Sequence, residues 1–137
     1  DRTTDGLYRN LTGMTGAIRY MAPEVGVGKS YNLTADVYSW SMLMWFILAL
    51  EPPFGFYSEH MIIDLVFRRG SRPAIFKAWN EIIGDLMRSA WDVDVANRPS
   101  FLEISLCLKQ DLIDSDGGTV AASSIASATD AACERST

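Results

Sequence analysis

The longest apolar stretch of the chain runs from residue 37 to residue 50, with the sequence VYSWSMLMWFILAL. A helix that spans a membrane needs about 20 apolar residues, whereas runs of about 10 to 14 are usually buried core helices. Asp36 precedes the stretch, and Glu51, Pro52 and Pro53 follow it, so it cannot be extended. Because its side chains are apolar almost all round, the pattern predicts a central helix that other elements surround.

Two later segments also have helical patterns. Apolar residues recur at spacings of three and four from Trp79 to Trp91, with polar residues on the opposite face, which predicts an amphipathic helix. Ser100 and Glu103 form a capping-box pattern directly after Pro99, which predicts a helix that ends near Leu112.

A shorter helix is expected from Ser58 to about Arg69, before a break at residues 70–73 with the sequence GSRP. No stretch shows the sustained alternation of apolar and polar residues that marks a β-strand. The pattern therefore predicts an all-α fold with a long loop at the front. Residues 114–137 are rich in Ser, Ala and Thr and cannot bury enough apolar surface to offset the entropy of ordering, which predicts a disordered tail.

Composition narrows the function classes. The chain has 137 residues, of which 48% are hydrophobic, which is typical of one globular domain. Its net charge of -5 and the absence of a basic block argue against a nucleic-acid partner or an anionic membrane surface. Cys107 and Cys133 are too few and too poorly placed for a disulfide framework or a zinc site, so no metal site is predicted and a reducing, cytoplasmic environment is favoured. Residues 1–6 are polar and do not form a secretory signal. They favour a sequence that starts within a longer chain.

The strongest functional signal is the string TGMTGAIRYMAPEV at residues 12–25, which closes in Ala-Pro-Glu. An isolated Ala-Pro-Glu is a common accident. Here it is followed, in order, by four further strings: ADVYSW at residues 35–40, PPF at 52–54, AWD at 90–92 and NRPSF at 97–101. Coincidence does not account for this order and spacing.

These strings resemble the end of the activation segment and the later helical motifs of the eukaryotic protein kinase domain. The resemblance covers roughly residues 7–112 and is closest to the tyrosine-kinase-like group of serine/threonine kinases, because of the wording RYMAPEV and DVYS. It implies the helical C-terminal lobe of the kinase fold. Residues 1–113 are then part of a kinase domain, with the activation segment at 7–25 and the lobe helices at about 34–113.

The resemblance also implies an activity, the transfer of the γ-phosphoryl group of ATP to protein hydroxyls. A protein substrate and an upstream activating kinase are then partners, and ATP and Mg²⁺ are the cofactors of the intact family. The sequence has no Gly-rich loop, Val-Ala-Ile-Lys strand, His-Arg-Asp or Asp-Phe-Gly, which supply nearly all of the nucleotide binding and catalysis. No catalytic residue is therefore expected in this chain, and alone it is expected to be inactive and to bind no nucleotide.

Two function classes remain open. The chain is either part of an active kinase or a degenerate, non-catalytic kinase module that is used for protein interaction. Sequence immediately upstream of Asp1 would discriminate between them, because it either contains the His-Arg-Asp and Asp-Phe-Gly motifs or does not.

Three charged residues stand out. Glu24 and Arg98 lie in mostly apolar segments, where a carboxylate and a guanidinium need each other because an isolated buried charge is strongly disfavoured. The resemblance implies that they form a bidentate ion pair that locks the activation segment to the lobe. Asp36 resembles the kinase residue whose carboxylate accepts hydrogen bonds from the catalytic-loop backbone. The alternative for Asp36 is that it complements the positive end of the helix dipole.

The residues Gly16, Ala17, Ile18, Arg19, Tyr20 and Met21 resemble the platform that receives the substrate residue after the phosphorylated one. In active serine/threonine kinases a Ser or Thr usually stands at the position of Ala17, and its hydroxyl contacts the catalytic Asp and Lys. Ala17 has no hydroxyl, a departure that leaves a non-catalytic role open.

Thr12 and Thr15 lie where activation-loop phosphates commonly sit. A phosphate at either residue would add close to two negative charges that can order the loop against Arg side chains. The alternative is that both are unmodified loop threonines.

Overall fold

The computed structural model describes residues 17–117 of the chain. These residues form a short helix α1 (Pro23–Gly26), a long helix α2 (Thr34–Ala49), α3 (Glu59–Met61) with a π-helical continuation (Ile62–Arg68), α4 (Glu81–Ala90) and α5 (Phe101–Ser115). Two 3₁₀ turns, Ala17–Tyr20 and Val95–Asn97, precede α1 and α5. Residues 17–117 contain no β-strand, and the prediction of an all-α fold is confirmed for them.

Helix α2 begins at Thr34, earlier than the apolar stretch alone predicts. The Asn32 Oδ1 atom accepts hydrogen bonds from the Thr34 N–H at 3.0 Å and from the Thr34 hydroxyl at 2.6 Å, which turns the chain into the helix. At the other end, Leu50 adopts a left-handed φ of 59° and donates its N–H to the Phe46 carbonyl. Pro52 follows and cannot continue a helix, so the end agrees with the prediction.

The starts of α4 and α5 are set by side-chain caps. The Asn80 Oδ1 atom accepts a hydrogen bond from the Ile83 N–H at 3.1 Å, so α4 begins at Glu81 rather than at Trp79. The predicted capping box of α5 is confirmed: the Ser100 N–H donates to the Glu103 carboxylate at 2.8 Å, and the Glu103 N–H donates to the Ser100 hydroxyl at 3.2 Å.

Helix α5 extends to Ser115, beyond the predicted end near Leu112. Its last turn is followed by Gly117, which has a left-handed φ of 64°. The predicted boundary at residue 114 therefore falls within the last turn of α5. Residues 118–137 lie outside the described residues, and a disordered tail stays a prediction.

Helix α2 contributes to two apolar clusters. Its side chains Tyr38, Met42 and Trp45 pack with residues of the first 3₁₀ turn, the π-helical segment and α4 in the main cluster. On another side, Val37 packs in a smaller cluster with side chains of α4 and α5. The Trp45 indole N–H also donates to the Ala74 carbonyl at 2.8 Å, which links α2 to the chain before α4.

One side of α2 is nevertheless exposed. Leu43, Phe46, Ile47 and Leu50 have exposed fractions of 49%, 37%, 55% and 87%, and their spacing places them on a single helix face, named here the α2 apolar face. The prediction that α2 is surrounded on every side is therefore wrong for residues 17–117. The reason is that no element of this part of the chain packs over that face.

No helix within residues 17–117 is long and apolar enough to cross a membrane, in agreement with the length of the apolar stretch. Cys107 is buried in the smaller cluster. The other cysteine, Cys133, lies outside the described residues, and a cytoplasmic location stays a prediction.

We expect the two neighbouring aromatic residues of α2 to respond differently to truncation. Trp45→Ala removes a buried indole and its hydrogen bond and should lower the free energy of unfolding by about 3–5 kcal/mol. Phe46→Ala changes a residue of the α2 apolar face and should cost about 1 kcal/mol. Urea denaturation of the two variants measures both values, and equal large losses would show that the α2 apolar face is covered in this chain.

Candidate functional site

The most highly organised polar group of the structure joins α1 to the segment before α5. The Arg98 Nη1 and Nη2 atoms donate to the two carboxylate oxygens of Glu24 at 2.6 and 3.0 Å, which makes a bidentate ion pair between residues 74 positions apart. The Arg98 side chain is completely buried, and the Glu24 side chain is 12% exposed. The structure thus brings together the two charged residues that the sequence singled out.

Arg98 also bonds to main-chain carbonyls. Its Nη1 atom donates to the Thr34 carbonyl at the start of α2, at 3.1 Å, and its Nε atom donates to the Asp92 carbonyl after α4, at 3.0 Å. The guanidinium carbon lies 5.3 Å from the centre of the Tyr38 ring. One buried side chain therefore fixes the relative positions of α1, α2 and the end of α4.

The chain reaches this position through a local turn. Asp92 accepts hydrogen bonds from the Asp94 N–H and the Asn97 side-chain amide, at 2.8 and 3.3 Å, and Asp94 accepts one from the Ala96 N–H at 3.0 Å. Short polar side chains favour such turns because they bond to nearby backbone groups. The turn delivers Arg98 to the interior immediately before the α5 cap.

On the other side of the pair, α1 approaches the π-helical segment closely. A Cβ atom built at Gly26 would lie 2.1 Å from the Phe67 ring, so a side chain does not fit at this position. The absence of a Cβ lets α1 pack against that ring. This contact positions Glu24, which is in the first turn of α1.

Burial and charge act in opposite directions on Glu24. Burial raises the pKa of its carboxyl, but the hydrogen bonds from Arg98 and from the backbone, together with the charges of Arg98 and Arg72, lower it further than burial raises it. The net pKa lies below the usual value, so the carboxylate form is favoured in the folded state. Burial also raises the pKa of Tyr38 to about 12, which keeps its phenol neutral.

The predicted substrate platform precedes this ion pair. Residues Ala17–Tyr20 form a 3₁₀ turn in which Ala17 is exposed and Ile18 is buried in the main cluster. Tyr20 and Met21 are partly buried, and Gly16 lies outside the described residues. Ala17 presents only a methyl group, so the exposed surface of the platform has no hydroxyl at this position.

The Arg19 side chain does not point to solvent. Its guanidinium donates to the carbonyls of Pro53, Phe54 and Tyr57, in the loop between α2 and α3. Phe54 holds a left-handed φ of 55°, unusual for a residue other than glycine. Arg19 thus links the platform to a loop whose backbone conformation requires support.

Asp36 is exposed in the first turn of α2. Its position suits the positive end of the helix dipole, the simpler of its two predicted roles. The candidate phosphosites Thr12 and Thr15 lie outside the described residues.

Among residues 17–117 no group of three or more His, Cys, Asp or Glu side chains is placed to hold a metal ion. A cleft of about 520 Å³ lies beside Glu24, and its lining combines apolar side chains with the charged residues Lys29 and Asp94 and the polar residues Ser30, Asn32 and Thr34.

Comparison with known proteins decides the family. The model of the protein tyrosine and serine/threonine kinase family matches residues 1–108. This chain belongs to that family. The family is one of enzymes that act on proteins and generally use ATP and Mg²⁺.

Several curated kinases are similar to the chain. The serine/threonine-protein kinase STY17 of Arabidopsis thaliana is 36% identical over 100 residues, which are 73% of this chain and 18% of STY17. The dual specificity protein kinase shkD of Dictyostelium discoideum is 40% identical over 103 residues, 72% of this chain and 13% of shkD. The serine/threonine-protein kinase mos of Patiria pectinifera is 34% identical over 113 residues, 80% of this chain and 31% of mos. The chain spans less than a third of the length of each relative.

Sequence reasoning about this kinase-family chain missed the interior roles of Arg19, Tyr38 and Arg72. Tyr38 was one member of an apolar stretch, Arg19 was assigned to the substrate platform, and Arg72 lay in the predicted break at residues 70–73. A usable signal was present for Arg19, which stands in a string of otherwise mostly apolar residues directly before Ala-Pro-Glu.

Breaking the buried ion pair of this kinase lobe should be costly. Glu24→Gln leaves the Arg98 guanidinium buried without a counter-charge and should lower the free energy of unfolding by about 3–5 kcal/mol. The matched control is Asp85→Asn, which breaks the exposed Arg88–Asp85 pair of 2.8 Å and should cost less than about 1 kcal/mol. Denaturant melts that give the same loss for both variants would contradict a buried role for the pair.

The same carboxylate should make stability depend on pH in a defined direction. Because the folded-state pKa of Glu24 lies below its unfolded value of about 4.3, the unfolded chain binds more protons in acid. The stability that Glu24 contributes is present above the unfolded pKa and is lost as pH falls through the folded pKa. Melts from pH 7 to pH 2 should therefore show the difference between the wild-type chain and Glu24→Gln shrinking below about pH 4. A difference that stays constant over this range would contradict the lowered pKa, and Glu51→Gln, at an exposed position, is the control.

Proposed function

We propose that this chain is part of a protein serine/threonine kinase that transfers the γ-phosphoryl group of ATP to protein hydroxyls. The chain contributes the substrate platform and the helical scaffold of the lobe. The nucleotide-binding and phosphate-transferring residues belong to a part of the domain that this sequence does not contain. The observation that carries the proposal is the bidentate Glu24–Arg98 pair, which closes the Ala-Pro-Glu string onto the lobe.

The geometry supports a rigid platform. Ile18 and Ala22 pack in the main cluster, Arg19 bonds to the loop after α2, and Glu24 is held by Arg98. The short segment between residues 17 and 24 is therefore held at both ends and in its middle. Phosphoryl transfer depends mainly on positioning and electrostatic stabilisation, and a fixed surface for the acceptor peptide supplies part of that positioning.

The α2 apolar face supports the idea that further kinase-domain structure packs on this chain. Asp36 lies on the same side of α2 as Leu43 and Leu50, because residues seven apart share a helix face. Large exposed apolar patches mark interaction surfaces. In the proposed kinase, this side of α2 packs against the catalytic half, and the Asp36 carboxylate accepts hydrogen bonds from the catalytic-loop backbone.

Control of the proposed kinase is assigned to the segment before the platform. Thr12 and Thr15 are the proposed phosphosites, with an upstream kinase as the enzyme that modifies them. ATP and Mg²⁺ are cofactors of the complete protein in this proposal, because the kinase motifs that hold them are absent from this sequence. No chemical step is assigned to a residue of this chain.

A second candidate function is favoured by one residue. Ala17 is exposed on the platform and lacks the hydroxyl that the resemblance places there in active serine/threonine kinases. A degenerate kinase module that binds proteins without transferring phosphate would have no need of that hydroxyl.

One experiment separates the two candidates. The 137-residue chain alone should give no saturable binding of ATP with Mg²⁺ in calorimetry and no transfer in a radiolabel assay, because the residues that bind nucleotide are absent. The same chain extended by its upstream coding sequence should bind nucleotide and transfer phosphate. In the extended protein, Ala17→Ser should raise turnover more than it changes ATP affinity.

The outcomes are distinguishable. Saturable ATP binding by the 137-residue chain would contradict the assignment of this chain to the non-catalytic part of the domain. An extended protein that folds but neither binds nucleotide nor transfers phosphate would favour the non-catalytic module. Equal turnover of the extended protein with and without Ala17→Ser would show that the hydroxyl is not needed.

A further inference from the structure

Arg72 brings a second guanidinium group to the aromatic ring that Arg98 contacts. The guanidinium carbon of Arg72 lies 5.1 Å from the centre of the Tyr38 ring, and that of Arg98 lies 5.3 Å from it. The Tyr38 side chain is completely buried. Both distances are within the range of a cation–π interaction, which strengthens when the partners are shielded from water.

The polar contacts of Arg72 are all to main-chain carbonyls. Its Nε atom donates to Trp91 at 2.9 Å, and its Nη1 atom donates to Ser71 at 2.9 Å and to Val66 at 3.4 Å. Within residues 17–117 no carboxylate forms an ion pair with Arg72, and its Nη2 atom is buried without an acceptor. The cost of burying this cation is therefore offset by the three carbonyl acceptors, by the face of the Tyr38 ring, and at longer range by the charges of Asp92 and Glu24.

The two arginines are also linked through the backbone. The Arg72 Nε atom donates to the Trp91 carbonyl, and the Arg98 Nε atom donates to the carbonyl of the next residue, Asp92. Adjacent carbonyls at the end of α4 thus hold the two guanidinium groups that lie over one ring. A shift of either arginine would therefore move the adjacent carbonyls of Trp91 and Asp92 and also the Tyr38 ring that the other arginine contacts.

The hydroxyl group of Tyr38 takes no part in this arrangement. Within the described residues its oxygen is buried and has no hydrogen-bond partner. An unpaired buried hydroxyl is unfavourable, so any stabilising contact of the Tyr38 side chain comes from its aromatic ring and not from its hydroxyl. The contact that matters is therefore between the ring and the two guanidinium groups.

We propose that Arg72 is a positioning residue for the Glu24–Arg98 ion pair and acts on it through the Tyr38 ring. Arg72 thereby links residues 70–73, which follow the π-helical segment, to Glu24 at the end of the 17–24 segment. That this segment is a substrate platform rests on the function proposed above, whereas the link between Arg72 and Arg98 is a property of the fold alone.

The test is a double-mutant cycle in the 137-residue chain, measured by denaturant unfolding. Arg72→Met and Tyr38→Leu should be non-additive, with a combined effect on the unfolding equilibrium constant that differs from the product of the single effects by about threefold to thirtyfold. Tyr38→Phe keeps the ring and should preserve the coupling to Arg72. The matched control is Arg69→Met, three residues away and in an exposed pair with Asp64, which should be additive with Tyr38→Leu.

A spectroscopic readout separates positioning from simple packing. The NMR signal of the Arg98 Nε–H group should shift in Arg72→Met and exchange faster with solvent, while in Tyr38→Phe and Arg69→Met it should stay in place. Where Arg72→Met leaves too little folded chain, Arg72→Lys keeps the charge but loses the Nε donor to Trp91, and it should give a smaller shift in the same signal.

Three results would overturn the proposal: additive effects of Arg72→Met and Tyr38→Leu, an Arg98 Nε–H signal that does not move in either Arg72 variant, or a Tyr38→Phe variant that behaves like Tyr38→Leu. None of these measurements involves ATP or phosphate transfer. Their outcome is therefore independent of whether the proposed kinase function is correct.

Discussion

The buried charge of Arg98 is the constraint on which the rest of this structure depends. Removing a guanidinium from water is expensive, and the cost is offset only when every donor finds a well-placed acceptor. Glu24, Thr34 and Asp92 provide those acceptors, and they come from three separate stretches of the chain. Burial of this one side chain therefore fixes how α1, the start of α2 and the end of α4 are arranged relative to one another. The pair is better understood as a source of specific geometry than as a source of net stability, since buried ion pairs are often no more stable than apolar replacements.

Much of this arrangement could be predicted from the sequence because it is local. The cap of α5 follows from Ser100 and Glu103, and the helical periodicity of α4 follows from its apolar spacing, since both depend on residues only a few positions apart. Pairing of Glu24 with Arg98 was also expected, because two charges in apolar surroundings have few other solutions. What periodicity could not supply was the identity of the elements that cover each side of α2. An apolar residue such as Leu43 looks the same in sequence whether its cover lies within the chain or elsewhere.

The remaining surprises are long side chains that leave loops and enter the interior. Arg19 and Arg72 are the clearest cases. The Arg19 guanidinium donates to carbonyls of the loop between α2 and α3, and the Arg72 Nε atom donates to the Trp91 carbonyl after α4, contacts that no spacing rule in the sequence encodes. The π-helical segment is a further case. It was expected to be an ordinary α-helix, but residues Ile62–Arg68 form a π-helix. Two of its side chains, Ile62 and Val66, are each only 1% exposed. Its Phe67 ring also occupies the space that a side chain at position 26 would need, so the packing partner of α1 determines which residue position 26 accepts.

The interior side of helix α2 and the α2 apolar face have different roles. Tyr38 and Trp45 are seven residues apart and face the interior, where Tyr38 meets the arginine network. Leu43 and Leu50, also seven apart, lie on the α2 apolar face and contact nothing that would bury them in this part of the chain. Changes on the interior side act on folding and on the ion pair together, because they share the same packed cluster. Changes on the apolar face leave that cluster intact and act on whatever packs against the lobe. This separation lets the platform keep its geometry while the opposite side of the same helix provides a docking surface for the rest of the kinase domain in the function proposed above.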